Sequence, residues 1–312
     1  VEPTPRCKVV RTIMAELGRI QNHLLCVGAA ALDMGGFTGF LYGFNEREFI
    51  YDIVEYISGQ RFHPDWTRVG GAWRDLPCDE TFKRMVKHFV NERLPRAVKD
   101  METLLTRNRI FMERTKGTGG ISAERALNYG FTGPNLRAAG VDYDVRVHAP
   151  YSSYEDFDFT IPVGTSGDNY DRFLVRNHEM WQSISIVKQA MRKLQDLKGA
   201  DATVWHADAP EYYLPAKADV YTKMEALIWH FKIVMGETEI PAGEVYMSVE
   251  GGNGELGFYL VSDGGRAPFR LHFRRPCFIY YQAYPELVQG AMLSDAIITM
   301  SSLNLIAGEM DA

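Results

Sequence analysis

Apolar side chains recur at steps of three and four residues along several long stretches of this chain, which is the spacing of one face of an α-helix. The first such stretch follows Thr4, a good helix N-cap with Pro5 at the first helical position, and ends at Gly35-Gly36. Its apolar stripe consists of Val10, Ile13, Leu17, Ile20, Leu24, Val27 and Ala31. We therefore predict one long amphipathic helix whose stripe faces the protein core.

Further stretches also show helical spacing. Asn45 and Glu48 have the spacing of a capping box for a second helix, which would end at Gly59. A third helical region covers residues 79–105 and should break or kink at Pro95, because proline lacks the N–H that a helix needs. Two more stripes are Met180, Ile184, Val187, Met191 and Leu194, and Val220, Met224, Leu227, Phe231 and Val234. Such stripes predict a helix bundle in which they form the core.

The spacing changes to that of β-strands in the last quarter of the chain. Three β-rich runs occur there, at 244–249, 255–262 and 269–273. Glycine-rich turns at 251–254 and 263–265 separate them, which predicts a small antiparallel meander, and a last helical stretch follows at about 286–302. We predict a mainly α fold with a small antiparallel β-sheet (α+β). A helical bundle with irregular loops (1–235) and a meander with a C-terminal helical segment (236–312) should pack as one domain.

The composition narrows the functional classes. With 46% hydrophobic residues, 312 residues can fill a large core, and a net charge of −6 disfavours a general nucleic-acid binder. No apolar run approaches the roughly 20 residues of a transmembrane helix. The four cysteines include no Cys-x-x-Cys pair, so we expect reduced thiols and no metal site. The chain starts at Val1 without an initiator methionine, and we interpret it as a processed or truncated product.

One segment, residues 130–146 (GFTGPNLRAAGVDYDVR), fits neither helical nor strand spacing. Its three glycines and one proline predict a defined irregular loop. Arg137 and Arg146 lie close in sequence to Asp142 and Asp144, so fixed ion pairs are expected. On the residues alone, a charge-linked loop without any chemistry is the favoured interpretation.

Several other short motifs occur in order along nearly the whole chain. They are Glu46-Arg47-Glu48, Gly59-Gln60-Arg61-Phe62-His63, Arg68-Val69-Gly70-Gly71, Asp75-Leu76-Pro77, Pro162-Val163-Gly164, Gly167-Asp168, Tyr170-Asp171-Arg172, Gly254-Glu255-Leu256-Gly257 and Val261-Ser262-Asp263-Gly264. Together with residues 130–146, they make the chain resemble the quinone-site subunit of respiratory complex I, a relative of the large subunit of NiFe hydrogenases. The resemblance implies a helix-bundle core like that of the hydrogenase subunit, without its metal centre.

The resemblance also implies a function. The chain would be a subunit of the proton-pumping NADH:quinone oxidoreductase and would form much of its quinone-reduction chamber. It would bind no cofactor itself, because the electrons come from the terminal 4Fe–4S cluster of an adjacent subunit. Its partners would be that subunit and a membrane-embedded subunit at the quinone entrance. It would lie peripherally on the cytoplasmic side of the inner (plasma) membrane, in the hydrophilic arm.

Asp33 is the first candidate for a catalytic residue. It lies near the end of the first predicted helix, where a carboxylate meets the unfavourable end of the helix dipole and needs a compensating cation or imidazole. An ordinary solvated aspartate is the alternative. The resemblance favours function, because the matching family aspartate pairs with a histidine that reaches the quinone headgroup. That histidine and a headgroup-binding tyrosine belong to a family segment upstream of Val1.

His63 is the second catalytic candidate, since an imidazole changes its charge near neutral pH. The resemblance implies that it lies beside the partner's cluster and gains affinity for a proton when the cluster is reduced. Arg61 would lie near the same cluster. A hydrogen-bonded structural histidine and a structural or inter-subunit ion pair of the arginine are the alternatives.

Leu25, Ala29 and Leu41 match family positions that line the quinone chamber together with Asp33. Leu25 and Ala29 lie two turns and one turn before that aspartate on roughly the same helix face, and Leu41 follows it by eight residues. Core packing explains all three residues equally well.

Two other functions stay open. An active NiFe hydrogenase large subunit would need two Cys-x-x-Cys pairs, and the C-terminal pair should fall near Asn304, where it is missing. A non-catalytic scaffold subunit of a related membrane-bound oxidoreductase is the other alternative. Asn304 also stands where the family often has an aspartate, and its amide cannot ionise.

Overall fold

The computed structural model describes residues 1–236 and 240–311, and its first element is the helix α1 (Pro5–Asp33). The Thr4 hydroxyl accepts a hydrogen bond from the Cys7 N–H at 3.4 Å, and Pro5 occupies the first turn. Every residue of the predicted apolar stripe is buried. The prediction of the first helix is therefore confirmed at both ends and on its buried face.

The helix α2 (Phe37–Ser58) folds back along α1. It begins before the predicted capping box, so the predicted start is wrong, and Asn45 lies inside the helix with its amide donating to Glu46. The two helices approach so closely that a Cβ on Gly43 would lie 3.1 Å from the main-chain oxygen of Leu24. Packing against α1 thus extends α2 beyond its local start signal.

The third helical region consists of α3 (Asp79–His88) and α4 (Leu94–Leu105), joined by a π-helical turn at Phe89–Arg93. Pro95 lies in the first turn of α4, directly after the π-helical turn. The wider π-helical turn accommodates Pro95, which has no main-chain N–H to donate to a preceding carbonyl. The predicted break at Pro95 is therefore confirmed.

The segment 130–146 is more regular than predicted, because it contains α7 (Gly133–Ala138) and the start of α8 (Val145–His148). Two short helices precede it, α5 (Arg109–Thr115) and α6 (Ala123–Tyr129). The prediction of an irregular loop is wrong for these turns. Pro134 lies in the first turn of α7, where its missing N–H has no helical partner to lose, so it starts a helix rather than breaking one.

The helix α9 (Asn169–Asp196) contains the predicted stripe from Met180 to Leu194, and all five stripe residues are buried. The side chain of Asp168 caps its first turn by accepting the Asp171 N–H at 2.9 Å. The core lies where α9 packs along α1, with α2 and α4 beside them.

Three helices follow, α10 (Ala200–Thr203), α11 (Lys217–Thr222) and α12 (Met224–Val234). The predicted stripe from Val220 to Val234 does not form one helix, because Lys223 is extended and divides it between α11 and α12, and it does not form core. Met224 is 74% exposed and Phe231 is 56% exposed, so the predicted burial is wrong. Periodicity identifies an apolar face, but it does not identify the surface that the face meets.

The strands of the described residues form two antiparallel sheets. They are β1 (Thr67–Arg68) with β2 (Gly71–Ala72), and β3 (Gly243–Glu250), β4 (Glu255–Ser262) and β5 (Arg270–Arg274). The larger sheet has the order β3-β4-β5, with Tyr246 opposite Tyr259 and Leu260 opposite Leu271. The meander and the mainly α fold class with a small antiparallel sheet are confirmed. The division of the chain at residue 235 stays a prediction.

The C-terminal part contains α13 (Pro276–Leu287), α14 (Leu293–Leu303) and α15 (Ala307–Asp311). The prediction of a single helical stretch at 286–302 is wrong, because residues 288–292 separate α13 from α14. The helix α14 packs against α1 and brings Ser301 to the end of the first helix. In the two described ranges, no helix combines the length and the apolar character needed to cross a membrane.

Candidate functional site

The carboxylate of Asp33 lies at the C-terminal end of α1, where the chain turns toward α2. The hydroxyl of Ser301, on α14, donates a hydrogen bond to Asp33 Oδ2. Asp33 is exposed, it forms no ion pair with any described residue, and the last turn of α1 has no basic residue. Within this chain, a neutral hydroxyl therefore takes the place of the cation or imidazole that the helix dipole led us to expect.

Exposed apolar side chains lie on α2, which follows this carboxylate in the chain, and on α14, which carries its hydrogen-bond donor. Phe37 and Leu41, in the first two turns of α2, are 56% and 48% exposed. Ile297 and Met300, on α14 just before the hydroxyl donor, are 47% and 43% exposed. We call Asp33 with these four residues the Asp33 surface. It combines one accessible carboxylate with an apolar surrounding, an arrangement that suits an amphipathic ligand or partner.

The predicted chamber-lining residues share one helical hairpin. Leu25 and Ala29 are half-buried on α1, and Leu41 is exposed on α2. Because α1 and α2 pack along each other, all three residues lie on the hairpin that carries the candidate carboxylate. The packing within this chain leaves part of each side chain free for a further contact.

Arg61 and His63 lie on the exposed segment that follows α2. The guanidinium of Arg61 donates to Glu48 Oε2 at 2.5 Å and lies 5.0 Å from the ring centre of Tyr51. The His63 ring meets the Phe62 ring edge-on, with 4.3 Å between centroids. Asp33 lies just before the start of α2, whereas Arg61 lies beside Tyr51. Tyr51 is roughly 21 Å along the helix axis from that start. The structure therefore does not bring the two predicted catalytic residues together within this chain.

A buried ion-pair network occupies the interior between α1, α9 and the segment 130–146. Its members, all buried, are Glu16, Arg19, His23, Arg137, Asp144, Arg146, Glu179 and Glu250. Arg137 contacts Glu179 at 2.6 Å and Glu250 at 2.9 Å. Arg146 contacts Asp144 at 2.7 Å, which confirms the expected ion pair. The other expected partner, Asp142, is exposed and pairs with no residue that the structure describes.

Burial and the neighbouring charges determine the protonation of this network. Burial lowers the pKa of His23 to about 4, although Glu179 Oε2 lies only 2.7 Å from its Nε2, so the imidazole is neutral near pH 7. Burial alone would raise the pKa of Glu179, but Arg137 and His23 hold it well below its usual value. Burial raises the pKa of Glu250 against the opposing effect of Arg137. These contacts support the interpretation that Arg137 and Arg146 are structural residues, which hold the segment 130–146 in place by ion pairs and take no part in chemistry.

Asn304 ends α14 in the left-handed backbone conformation, with φ of +56°. Asparagine tolerates this conformation better than most residues. Its buried amide donates to the side-chain oxygens of Asn22 and Asn253 and so joins α1 to the β3–β4 turn. Asn304, whose amide cannot ionise, thus has a structural role at this position.

A model of the family described as the respiratory-chain NADH dehydrogenase 49 kDa subunit matches residues 33–312. The chain belongs to this 49 kDa subunit family. The resemblance drawn from the short motifs is thereby confirmed. Asp33 is the first residue of the matched range, which includes α2, the ion-pair residues from Arg137 to Glu250 and the larger sheet.

Relatives of the 49 kDa family match the chain from end to end. The chain is 62% identical to a D-type NADH-quinone oxidoreductase subunit of Cytophaga hutchinsonii, covering 100% of the chain and 78% of the relative. It is 58% identical to the D-type NADH-quinone oxidoreductase subunit of Flavobacterium johnsoniae and 49% identical to that of Leptospira biflexa, covering 100% of the chain and 74% of each relative.

The thiols of this 49 kDa family member are scattered through the fold. Cys7, Cys26 and Cys277 are buried, Cys78 is exposed, and all four are free. Among the residues that the structure describes, no three histidine, cysteine, aspartate or glutamate side chains group to hold a metal ion.

Sequence reasoning missed two parts of the candidate site. Ser301 is separated from its acceptor Asp33 by 268 positions, and no local spacing relates the two. Ile297 and Met300 belong to a helical stretch in the sequence, and nothing there marks them as neighbours of a carboxylate. Only the packing of α14 on α1 reveals either relationship.

Proposed function

We propose that this chain is the subunit of a proton-pumping NADH:quinone oxidoreductase that forms much of the quinone-reduction chamber. Its membership of the 49 kDa family and the names of its relatives, which are NADH-quinone oxidoreductase subunits, support a place in that multi-subunit enzyme. The Asp33 surface carries the finer proposal, because an accessible carboxylate lies there among exposed apolar side chains. Such a surface suits an apolar molecule with a polar, reducible headgroup.

The chemistry follows from the needs of the substrate. Reduction of a quinone consumes two electrons and two protons, and polar groups near the carbonyl oxygens stabilise the charge that develops. Asp33 would hold a proton or orient a proton donor near the headgroup, and Ser301 would fix the orientation of the carboxylate. Leu25, Ala29 and Leu41 would line the chamber and exclude water. The terminal 4Fe–4S cluster of an adjacent subunit would supply the electrons.

Arg61 and His63 would face that adjacent subunit, since both side chains are exposed in this chain. A reduced cluster carries one more negative charge than an oxidised one. The imidazole of His63 would therefore bind a proton more tightly when the cluster is reduced. Arg61 would favour the reduced cluster by its positive charge, and its contact with Glu48 would limit that effect.

We further propose that the chain lies peripherally in the hydrophilic arm, on the cytoplasmic side of the inner (plasma) membrane. The Asp33 surface would meet a membrane-embedded subunit at the quinone entrance, because exposed apolar patches mark contacts with partners or lipid. The bundle (1–235) and the C-terminal part (236–312) would act as one domain, since α14 carries Ser301 to the end of α1.

The substitution Asp33→Asn in the intact complex tests the proposal. It keeps the shape of the side chain but removes its charge and its exchangeable proton. We expect quinone reduction to fall by roughly a hundredfold, the usual effect of losing a positioned acid or base. Electron transfer from NADH to a hydrophilic acceptor that does not use the chamber should persist.

Asp52→Asn is the matched control, because Asp52 is exposed on α2 of the same hairpin. It should leave both activities at the wild-type level. If Asp33→Asn complexes assemble and reduce quinone normally, the chamber proposal is wrong and the non-catalytic scaffold function is favoured.

A further inference from the structure

A surface groove lies between the C-terminal half of α9 and the helical segment formed by α3 and the π-helical turn that follows it. Its volume is about 300 Å³, roughly ten times the volume of a liquid water molecule. The floor consists of four apolar side chains that are at most 4% exposed, Val86, Val90, Val187 and Met191. Because these side chains belong to the close-packed core, the fold fixes the shape of the groove.

The walls of this groove are cationic. Lys87 lies on α3, and Lys188 and Arg192 lie on α9. The other two lining residues, Asn91 and Gln195, are uncharged, so no carboxylate lines the groove. None of the three cations forms an ion pair within 4.0 Å with a carboxylate of the described residues. Three positive charges are thus gathered in one place on a chain whose net charge is −6.

The carboxylates around the groove are paired elsewhere or lie outside it. Glu80 contacts Lys83 and Glu92 contacts His88, each at 3.1 Å. Asp196 lies one turn beyond the α9 cations and offsets part of their field, but it does not line the groove and forms no ion pair with a described residue. The groove therefore keeps its positive charge in the folded chain.

The arrangement of the cations favours a polypeptide over a small ion or a lipid. Lys188 and Arg192 are four residues apart on α9, so they are neighbours on one helix face. Carboxylates at the same spacing on a partner helix would meet both cations, and Lys87 would meet a third carboxylate from the other wall. A single small anion would be weakly held, because water and salt screen exposed charges. The buried floor offers little apolar surface to the acyl chains of a lipid.

We propose that this groove binds an acidic helical segment of another subunit of the NADH-quinone oxidoreductase. The chain belongs to a family of subunits of that enzyme, so neighbouring polypeptides surround it in the assembly. Aspartate or glutamate side chains four residues apart on the partner segment would pair with Lys188 and Arg192. Complementary charge would then set the position of the segment along α9.

The groove is separate from the Asp33 surface. The helix α14 meets α9 near Arg172, whose guanidinium donates to the hydroxyl of Ser302 at 3.2 Å. Lys188 follows Arg172 by 16 residues on α9, which is roughly 24 Å along the helix axis. The proposal therefore does not depend on the quinone chamber, and a test of one leaves the other untouched.

Carbodiimide cross-linking of the intact, purified complex tests this contact, because the reagent joins an amine to a carboxylate only where the two touch. Mass spectrometry should find Lys87 or Lys188 joined to aspartate or glutamate side chains of one segment in another subunit. In the double variant Lys188→Gln/Arg192→Gln, the cross-link from Lys87 should fall several-fold, and the partner should dissociate at a lower salt concentration. Arg96→Gln/Lys99→Gln removes two exposed cations of α4 and should change neither result.

Acetylation rates of Lys87 and Lys188 in the wild-type complex give a second readout that needs no variant. An acidic partner predicts slow acetylation at low salt and several-fold faster acetylation at high salt, since salt weakens exposed ion pairs. Acetylation that becomes faster on removal of lipid but not with salt would identify lipid as the occupant and would overturn the proposal. Fast acetylation at every salt concentration, or no cross-link from either lysine to another subunit, would overturn it equally.

Discussion

Ser301 donates its hydroxyl hydrogen to the carboxylate of Asp33, and this contact joins α14 to the end of α1. The pair lies among the exposed apolar residues of the Asp33 surface. A serine hydroxyl restricts the direction in which the carboxylate points but does not neutralise it. The contact thus separates two properties of the candidate site, the charge of Asp33 and its orientation, which substitution can test independently.

Ser301→Ala should impair quinone reduction less than Asp33→Asn does. The carboxylate remains but loses its orientation, so we expect a several-fold fall in the quinone-reduction rate, with little loss of stability because the bond is exposed. Steady-state assays of the assembled complex would measure this. Thr222→Ala is the control, since the exposed hydroxyl of Thr222 donates to the main-chain oxygen of Ala218 on its own helix α11. Equal rates for the wild type and Ser301→Ala would argue against an orienting role.

Glu179→Gln should destabilise the subunit strongly. Glu179 is buried and contacts Arg137 at 2.6 Å, and loss of one partner of a buried ion pair costs about 3–5 kcal/mol. The thermal midpoint of the complex, or the amount of subunit assembled, would report the loss. Glu113→Gln removes an exposed partner of a helical ion pair and should change neither. Wild-type stability of Glu179→Gln would contradict a structural role for this network.

His23 should make stability depend on pH. Its pKa is about 4 in the folded chain, against an ordinary value of 6.5, because burial disfavours the charged form. Between these two values the unfolded chain binds the extra proton, so stability falls as the pH drops from 6.5 toward 4, by on the order of 3 kcal/mol. Below about pH 4, His23 causes no further loss of stability.

His23→Gln should weaken this pH dependence, because glutamine can still donate to Glu179 but cannot take up a proton. Thermal midpoints at pH 7 and pH 5 would give the comparison. His178→Gln replaces an exposed histidine and should keep the wild-type dependence. A wild-type slope in the His23 variant would show that other groups cause the acid sensitivity.

Gly133→Ala should prevent stable folding of the α7 region. Gly133 has a φ of +62°, and an added Cβ would lie 2.3 Å from the Cα of Gly254, so main chain would have to move. Gly130→Ala is the matched control, with a φ of +83° but nothing within 4 Å of the added carbon. Gly130→Ala should lose only roughly 1–2 kcal/mol of stability, which is the cost of holding an alanine in the left-handed backbone conformation. Equal thermal midpoints for the two variants would exclude the close approach as the cause.

The predictions from the sequence succeeded where local spacing and burial agree. The stripe of α1 and that of α9 are buried as predicted, and the β3-β4-β5 meander follows its glycine-rich turns. They failed where tertiary contacts outweigh local signals. The start of α2 precedes the Asn45 capping box, and the stripe of α12 is exposed. The candidate residues were found by resemblance, and their chemical roles stay predictions.

The sequence by itself determined the family, the class of fold and most of the helices, because periodicity, caps and turns are properties of neighbouring residues. Only the tertiary structure decided which distant side chains meet. The contact of Ser301 with Asp33 and the pairing of Arg137 with Glu179 each depend on the packing of separate helices. Such contacts arise when whole apolar faces are buried together, and no spacing along the chain records them.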